Sequence, residues 1–238
     1  MCVCWVAVQA IAYPDGRAYL GKCSSDRVPN SRGKMTWPSG AVYDGDWVDG
    51  NFNGRGKHTW PDGNVYEGDF INDKRTGQGK YSWPDGRVYE GSFVDGVITG
   101  KGKYAFANGS VYERNLVKGN FNGHGKYTFA SGAVYTGSFV DDKRTGRGKY
   151  TWPDGRVYEG DFIDGDFNGQ GKQTFPNGDR LESEWKNDKL NGRGKYTWPN
   201  GDVYEGNFVD GNFNGRGKKT LIGGTVQEGQ WRDDKFIS

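Results

Sequence analysis

Leucine, isoleucine and methionine are nearly missing: 238 residues hold five Leu, six Ile and two Met. An amphipathic helix needs such residues at 3.6 spacing, so their scarcity argues against any helical or α/β core. Histidine occurs twice, at His58 and His124. The two fall in different parts of the repeated pattern described below, so they build no zinc site and no Ser-His-Asp constellation. Cysteine occurs three times, as Cys2, Cys4 and Cys23. An odd count without a fourth ligand-type neighbour speaks against a disulfide framework or structural zinc, and fits reduced thiols in a cytosolic setting. Net charge is also lacking, with 32 basic residues interspersed among 30 acidic ones. Such a balance creates no large field, so nucleic-acid binding by counterion release is not expected. No apolar run approaches the ~20 residues of a membrane-spanning helix.

The nearest thing to such a run is MCVCWVAVQAIA at residues 1–12. It lacks the basic region of a signal peptide and is short for one. We read it as an apolar cap or anchor, with a first strand covering the end of the array as the preferred form. Cys2 and Cys4 are candidates for lipidation there.

What the chain does have is glycine and aromatic rings. There are 41 Gly, and aromatics make up 15% of the residues. Disordered chains are poor in aromatics, whereas Gly, aromatics, Thr and Val together point to strands and tight turns. The glycines are periodic. Gly54, Gly77, Gly100, Gly123, Gly146, Gly169, Gly192 and Gly215 stand 23 residues apart, each followed two residues on by Gly-Lys. Gly33-Lys34 extends the dipeptide by one copy, and YPDGRAYLG at 13–21 is a degenerate one, out of phase by one residue. A fixed period that runs nearly end to end marks a linear array.

Each unit reads as a hairpin. Lys57-His58-Thr59-Trp60 forms a first strand, Pro61-Asp62-Gly63 the turn, and Val65–Phe70 the second strand. Proline pre-sets φ and glycine takes the left-handed corner. Alternation then puts Tyr66, Gly68 and Phe70 on one face and Val65, Glu67 and Asp69 on the other. A glycine in mid-strand weakens the strand unless something needs the space, and an aromatic ring lying flat on bare backbone would. The expected fold is all-β: an elongated, twisted, single-layer antiparallel β-meander of tandem hairpins. The expected organisation is a terminal segment at 1–12, the array at 13–231 and a tail at 232–238.

The unit YEGDFINDKRTGQGKYSWPDG, residues 66–86, resembles the MORN repeat, the "membrane occupation and recognition nexus" motif: Tyr-x-Gly-x-aromatic, then Gly-x-Gly, then a Gly after the turn. The resemblance implies scaffolding, binding of partner peptides along an aromatic groove, and association with membranes or phosphoinositides. In some relatives such an array is joined to a lipid-kinase or methyltransferase domain, so a targeting module of a larger enzyme is a further reading. Two units depart from the pattern. One has Tyr112-Glu113-Arg114-Asn115-Leu116, and the other Leu181-Glu182-Ser183-Glu184-Trp185. Arg114 and Ser183 lie 69 residues apart, and segments 50–91 and 119–160 match at that same offset, which suggests duplication of a three-unit block. Inherited history and a deliberate interruption of the groove are both open at this point.

Enzymatic chemistry finds no footing. Gly-x-Gly-Lys lacks the Ser or Thr that a phosphate loop places directly after Lys, and it lacks a helix to open. The acidic run Asp44–Gly50 fails calcium-loop spacing at Val48 and at Arg55. No cofactor, metal or catalytic residue is therefore expected. Two surfaces could bind a partner. The aromatic one comprises Tyr66, Tyr89, Tyr112, Tyr135, Tyr158 and Tyr204 with Trp60, Trp83, Trp152 and Trp198. These rings build the ladder, and an uncovered face of them would also take a protein or peptide ligand. The basic one comprises Lys57, Lys80, Lys103, Lys126 and Lys149, which could meet anionic membrane lipid or pair with the Glu ladder across strands. Dimerisation through a terminus is the remaining partner expectation.

Overall fold

The computed structural model describes residues 8–238. The proposed lipidation of Cys2 and Cys4, and most of the apolar cap, lie outside the described residues. The chain divides after Asn120 into two units. The first carries β1 (Gln9–Ala12), β2 (Ala18–Cys23), β3 (Pro29–Thr36), β4 (Val42–Val48), β5 (Asn51–Thr59), β6 (Val65–Ile71), β7 (Lys74–Ser82), β8 (Val88–Val94), β9 (Val97–Ala105) and β10 (Val111–Val117). Then come β11 (Asn120–Thr128), β12 (Val134–Val140), β13 (Lys143–Thr151), β14 (Val157–Ile163), β15 (Asp166–Thr174), β16 (Arg180–Lys186), β17 (Lys189–Thr197), β18 (Val203–Val209), β19 (Asn212–Thr220), β20 (Val226–Arg232) and β21 (Lys235–Phe236). Within each unit every strand pairs antiparallel with its sequence neighbours. The described residues contain no helix, so each unit is an all-β meander of hairpins, as the period implies.

Two kinds of turn alternate. At the Trp-Pro-Asp-Gly turn, the Trp60 amide donates to Asn64 O (2.9 Å) and the Gly63 amide to Trp60 O (3.0 Å). Gly63 sits at φ +86°, where only glycine is unstrained. The other turn has two residues, such as Asn72-Asp73, both at positive φ (46° and 64°). That geometry matches the right-handed twist of the strands it joins. Between the turns the register slips at Gly68/Asp69, where Gly77 takes φ +57° and Asp69 Oδ2 accepts from the Gln78 amide at 3.2 Å. This is a β-bulge, which strengthens local twist.

The core is one ring deep. Tyr43, Tyr66, Tyr89, Tyr112, Tyr135, Tyr158 and Tyr204 are fully buried, although the sheet has no second layer. Tyr66 shows how. Its ring lies along the paired backbone of Gly68 and Gly79, so a Cβ on Gly68 would stand 2.6 Å from its hydroxyl, and one on Gly79 would collide with the ring itself. The hydroxyl donates onward to Asp69 O (3.0 Å) and Thr76 O (3.2 Å). Phe70 and Phe93 meet the ring edge-on at 5.0 Å. Glycine in mid-strand is thus the floor for a tyrosine.

The two departures from the pattern answer this constraint differently. Arg114 keeps its tyrosine, Tyr112, whose hydroxyl donates to Asn115 O (2.9 Å). With the ring retained and the glycine gone, the backbone adopts φ 126°, a region that disfavours a side chain. Ser183 stands where the tyrosine itself has become Leu181. No ring needs bare backbone there, so serine fits in extended conformation and its hydroxyl donates to Arg193 O (3.2 Å). At the ends, β1 pairs with β2 through Gln9↔Gly21 and Ala12↔Ala18. Within residues 232–238, β21 pairs with β20, and the Ile237 amide donates to Gln230 O.

Candidate functional site

Above the buried tyrosines lies a second set of side chains, supplied once per repeat by the strand after the two-residue turn. These are Phe52, Arg75, Ile98, Phe121, Arg144, Phe167, Leu190 and Phe213. Phe52 stacks on Tyr43 with centroids 3.7 Å apart and planes 7° apart, and Phe213 stacks on Tyr204 at 3.8 Å and 18°. Arg75 extends over Tyr66 at 5.8 Å. These covers explain how a single sheet buries its own core.

Their presence corrects one expectation. Tyr66, Tyr89, Tyr112, Tyr135, Tyr158 and Tyr204 are at 0% exposure and present no surface to a partner. Burial also pushes the Tyr66, Tyr135 and Tyr204 phenols up to about 12, keeping them neutral donors. Trp60, Trp83, Trp152 and Trp198, just before the turns, are half-buried and partly accessible. They are accompanied by residues that the repeat pattern alone did not single out: Tyr81, Tyr104, Tyr127, Tyr150 and Tyr196. These tyrosines recur at the same period and stand directly across strands from the core tyrosines, as in Tyr66↔Tyr81. That pairing was the available signal.

In the first unit the accessible rings are continuous. Trp37, His58, Trp60, Tyr81, Trp83, Tyr104 and Phe106 follow one another at centroid separations of 6.1, 4.1, 5.7, 4.6, 5.4 and 4.7 Å. In the second unit, Tyr127, Phe129, Tyr150 and Trp152 follow at 4.6, 5.6 and 4.7 Å. The row stops where Gln173 and Leu181 replace tyrosines, and resumes with Phe175, Tyr196 and Trp198. His58 is held neutral within the row, pushed down to about 4 by burial and then by the Arg75 guanidinium.

The opposite face carries the charges. Lys57, Lys80, Lys103 and Lys149 each stand across from an acidic residue of a neighbouring strand: Glu67, Glu67 and Glu90, Glu90 and Glu113, and Glu159. Lys80–Glu90 and Lys149–Glu159 close to 2.9 Å, Lys195–Glu205 to 3.3 Å and Lys172–Glu182 to 3.4 Å. Lys126 lies across from Thr136. All these groups but the half-buried Glu113 are exposed, so each pair contributes little to stability, but the charges largely cancel in place.

Comparison with solved structures finds chains of similar length at low likeness. The TCP10 domain of Danio rerio CPAP in complex with a peptide of Danio rerio STIL is 17% identical, with a TM-score of 0.34, covering 94% of this chain and 100% of that one. The SAS-4 (dCPAP) TCP domain of Drosophila melanogaster, in complex with a proline-rich motif of Ana2, is 12% identical at 0.33, covering 83% and 88%. The G-box domain of the microcephaly protein CPAP is 15% identical at 0.31, covering 95% and 99%. At such scores the peptide partners remain properties of those proteins. A comparison with curated protein sequences finds no significant match. The MORN repeat model, in contrast, matches nine segments: 28–42, 43–65, 66–86, 89–111, 115–134, 135–155, 158–180, 182–203 and 204–226. With repeats spanning most of its length and a tyrosine-on-glycine rung in nearly every one, the chain belongs to the MORN repeat family.

Proposed function

We propose that this chain is a non-enzymatic scaffold that binds a protein or peptide partner along its row of accessible aromatic edges. The observation that carries the reading is the unbroken run from Trp37 to Phe106, with no step between neighbouring rings above 6.1 Å. Trp and Tyr supply large contact area at low entropic cost and dominate binding hot spots. Their positions are rigid here, because each half-buried ring leans on the next and on the buried ladder beneath. A soluble scaffold has no structural need to leave so many indoles at its surface.

The lipid-binding alternative is less well supported, because at least four of the five lysines it needs face glutamates of their own sheet. The test is affinity capture with the intact chain, identification of the captured partner, and titration of that purified partner. Trp60→Ala with Trp83→Ala should weaken binding by about tenfold or more, the effect of removing a typical hot spot. Charge reversal of Lys57, Lys80, Lys103 and Lys126 should leave it unchanged. Unaltered affinity in the folded tryptophan double variant would refute the aromatic-face reading. Core tyrosines such as Tyr89 are unsuitable probes, since their loss would unfold the rung.

A further inference from the structure

Among the eight cover positions, six are apolar and two are arginine, Arg75 and Arg144. Both guanidiniums lie among rings. Arg75 is within 5.0–5.8 Å of the centroids of Trp60, Tyr66, Tyr81 and Phe93, and Arg144 within 5.5–5.7 Å of Phe129, Tyr135, Tyr150 and Phe162. Each donates Nη2 to one backbone carbonyl, Arg75 to Gly96 O at 2.7 Å and Arg144 to Gly165 O. Neither has a carboxylate within ion-pair distance among the described residues, whereas Arg17, Arg87 and Arg156 each pair with an aspartate two positions earlier in the chain at 2.7–2.8 Å.

The turn beside each arginine offers no carboxylate either. Where the cover is phenylalanine, the turn 21 residues later ends in aspartate: Asp73, Asp142, Asp188 and Asp234, whose carboxylates accept the amides of Phe52, Phe121, Phe167 and Phe213. Where the cover is not phenylalanine, that turn position is glycine: Gly96 and Gly165 after the two arginines, and Gly119 and Gly211 after Ile98 and Leu190. The neighbouring aspartates Asp95 and Asp164 are engaged by Lys74 (3.4 Å) and Lys143 (3.1 Å). Two half-buried cations are therefore left facing the accessible aromatic row without an internal counter-ion. A guanidinium so placed keeps free N–H donors in a fork that matches a carboxylate, and partial burial strengthens the attraction.

We propose that Arg75 and Arg144, each in its own unit, read an acidic side chain of the bound peptide, with the flanking rings taking its apolar neighbours. This rests on the aromatic-face reading and specifies the chemistry of the ligand. A carboxylate-bearing peptide is favoured over a lipid phosphate because each guanidinium is recessed among rings that also demand apolar contact.

The test is selection from a displayed library of random peptides against the intact chain, beside Arg75→Phe/Arg144→Phe, which restores the residue of four other repeats, and Arg75→Gln/Arg144→Gln. The wild type should enrich peptides with Asp or Glu adjacent to an aromatic or aliphatic residue. Both double variants should retain aromatic peptides and lose the acidic preference. Replacing the selected acid by its amide should cost about tenfold in affinity for the wild type and nothing for the Phe double variant, since a hydrogen bond to a charged group is lost only in the former. Acidic enrichment that survives in the variants would overturn the assignment. So would enrichment of aromatic peptides without acids, a result that leaves the aromatic face standing. Failure of the folded wild type to select any peptide would overturn both readings. Arginine-dependent sedimentation with phosphoinositide vesicles, in the absence of acid-selective peptides, would reassign the two sites to lipid.

Discussion

At the scale of the residue, one atom decides each rung. Gly79 has an ordinary extended φ, so its importance is invisible to a backbone argument; what it lacks is a Cβ beneath Tyr66. Gly109 is the complementary case, at φ +87° with nothing within 4 Å of where a Cβ would stand. Gly79→Ala should lose about 3 kcal/mol, the upper end for overpacking a core. Gly109→Ala should lose about 1 kcal/mol, the cost of a left-handed alanine. Urea unfolding of the two variants side by side separates the causes, and equal losses would contradict the ring-on-backbone account. His58 gives a pH test. Its folded value near 4 lies below the ordinary 6.5, so the folded state holds the neutral ring while the unfolded chain takes up a proton. Stability should be unaffected above pH 6.5 and fall progressively between about 6.5 and 4. In His58→Tyr, which installs the residue of the repeat that follows, that limb of the pH–stability curve should flatten. An acid limb identical in the two proteins would show that His58 is not its source.

At the scale of the element, the two-residue turns explain why left-handed aspartates are tolerated. Asp73 has φ 64°, yet its Oδ1 accepts the Phe52 amide at 2.7 Å while its own amide donates to Phe52 O at 3.1 Å. The turn thus clips one hairpin to the one before it. Asp73→Gly relieves the backbone but removes a hydrogen bond to a charged acceptor, for a net loss of about 1 kcal/mol. A thermal midpoint higher than that of the parent would mean that backbone strain outweighs the clip. The same position is glycine after every cover that is not phenylalanine, so the turn and the cover vary together.

At the scale of the whole molecule, the two faces of the repeat do different work. Rings self-cover on one face and leave their edges accessible. On the other face lysines and glutamates alternate across strands and largely cancel, and the whole chain carries a net charge of only +2. Exposed, paired charges should give no durable attraction to an anionic bilayer at ~0.15 M salt, where the screening length is about 8 Å. Flotation with anionic vesicles should therefore be absent under those conditions. Salt-sensitive flotation abolished by reversing Lys57, Lys80, Lys103 and Lys126 would restore the lipid reading.

The 23-residue period, the hairpin in each repeat, the turn chemistry and the face that each side chain takes were all legible in the sequence, because they depend on local φ preferences and on strict alternation along a strand. Tyr66, Gly68 and Phe70 could be placed on one face without coordinates. What only the tertiary structure decided was depth. Tyr66 and Tyr81 are the same residue type on the same face, yet one is sealed under a cover and the other keeps an open edge. Tyr66 lies flat on the backbone of Gly68 and Gly79 with Phe70 and Phe93 closing on its ring, partners from three different strands, and no spacing rule reports which neighbours will converge there. The sequence by itself determined the repeat and its two chemical faces. The assignment of core tyrosines, accessible rings and unpaired arginines waited on the packing of one rung against the next, because burial is a property of neighbours in space.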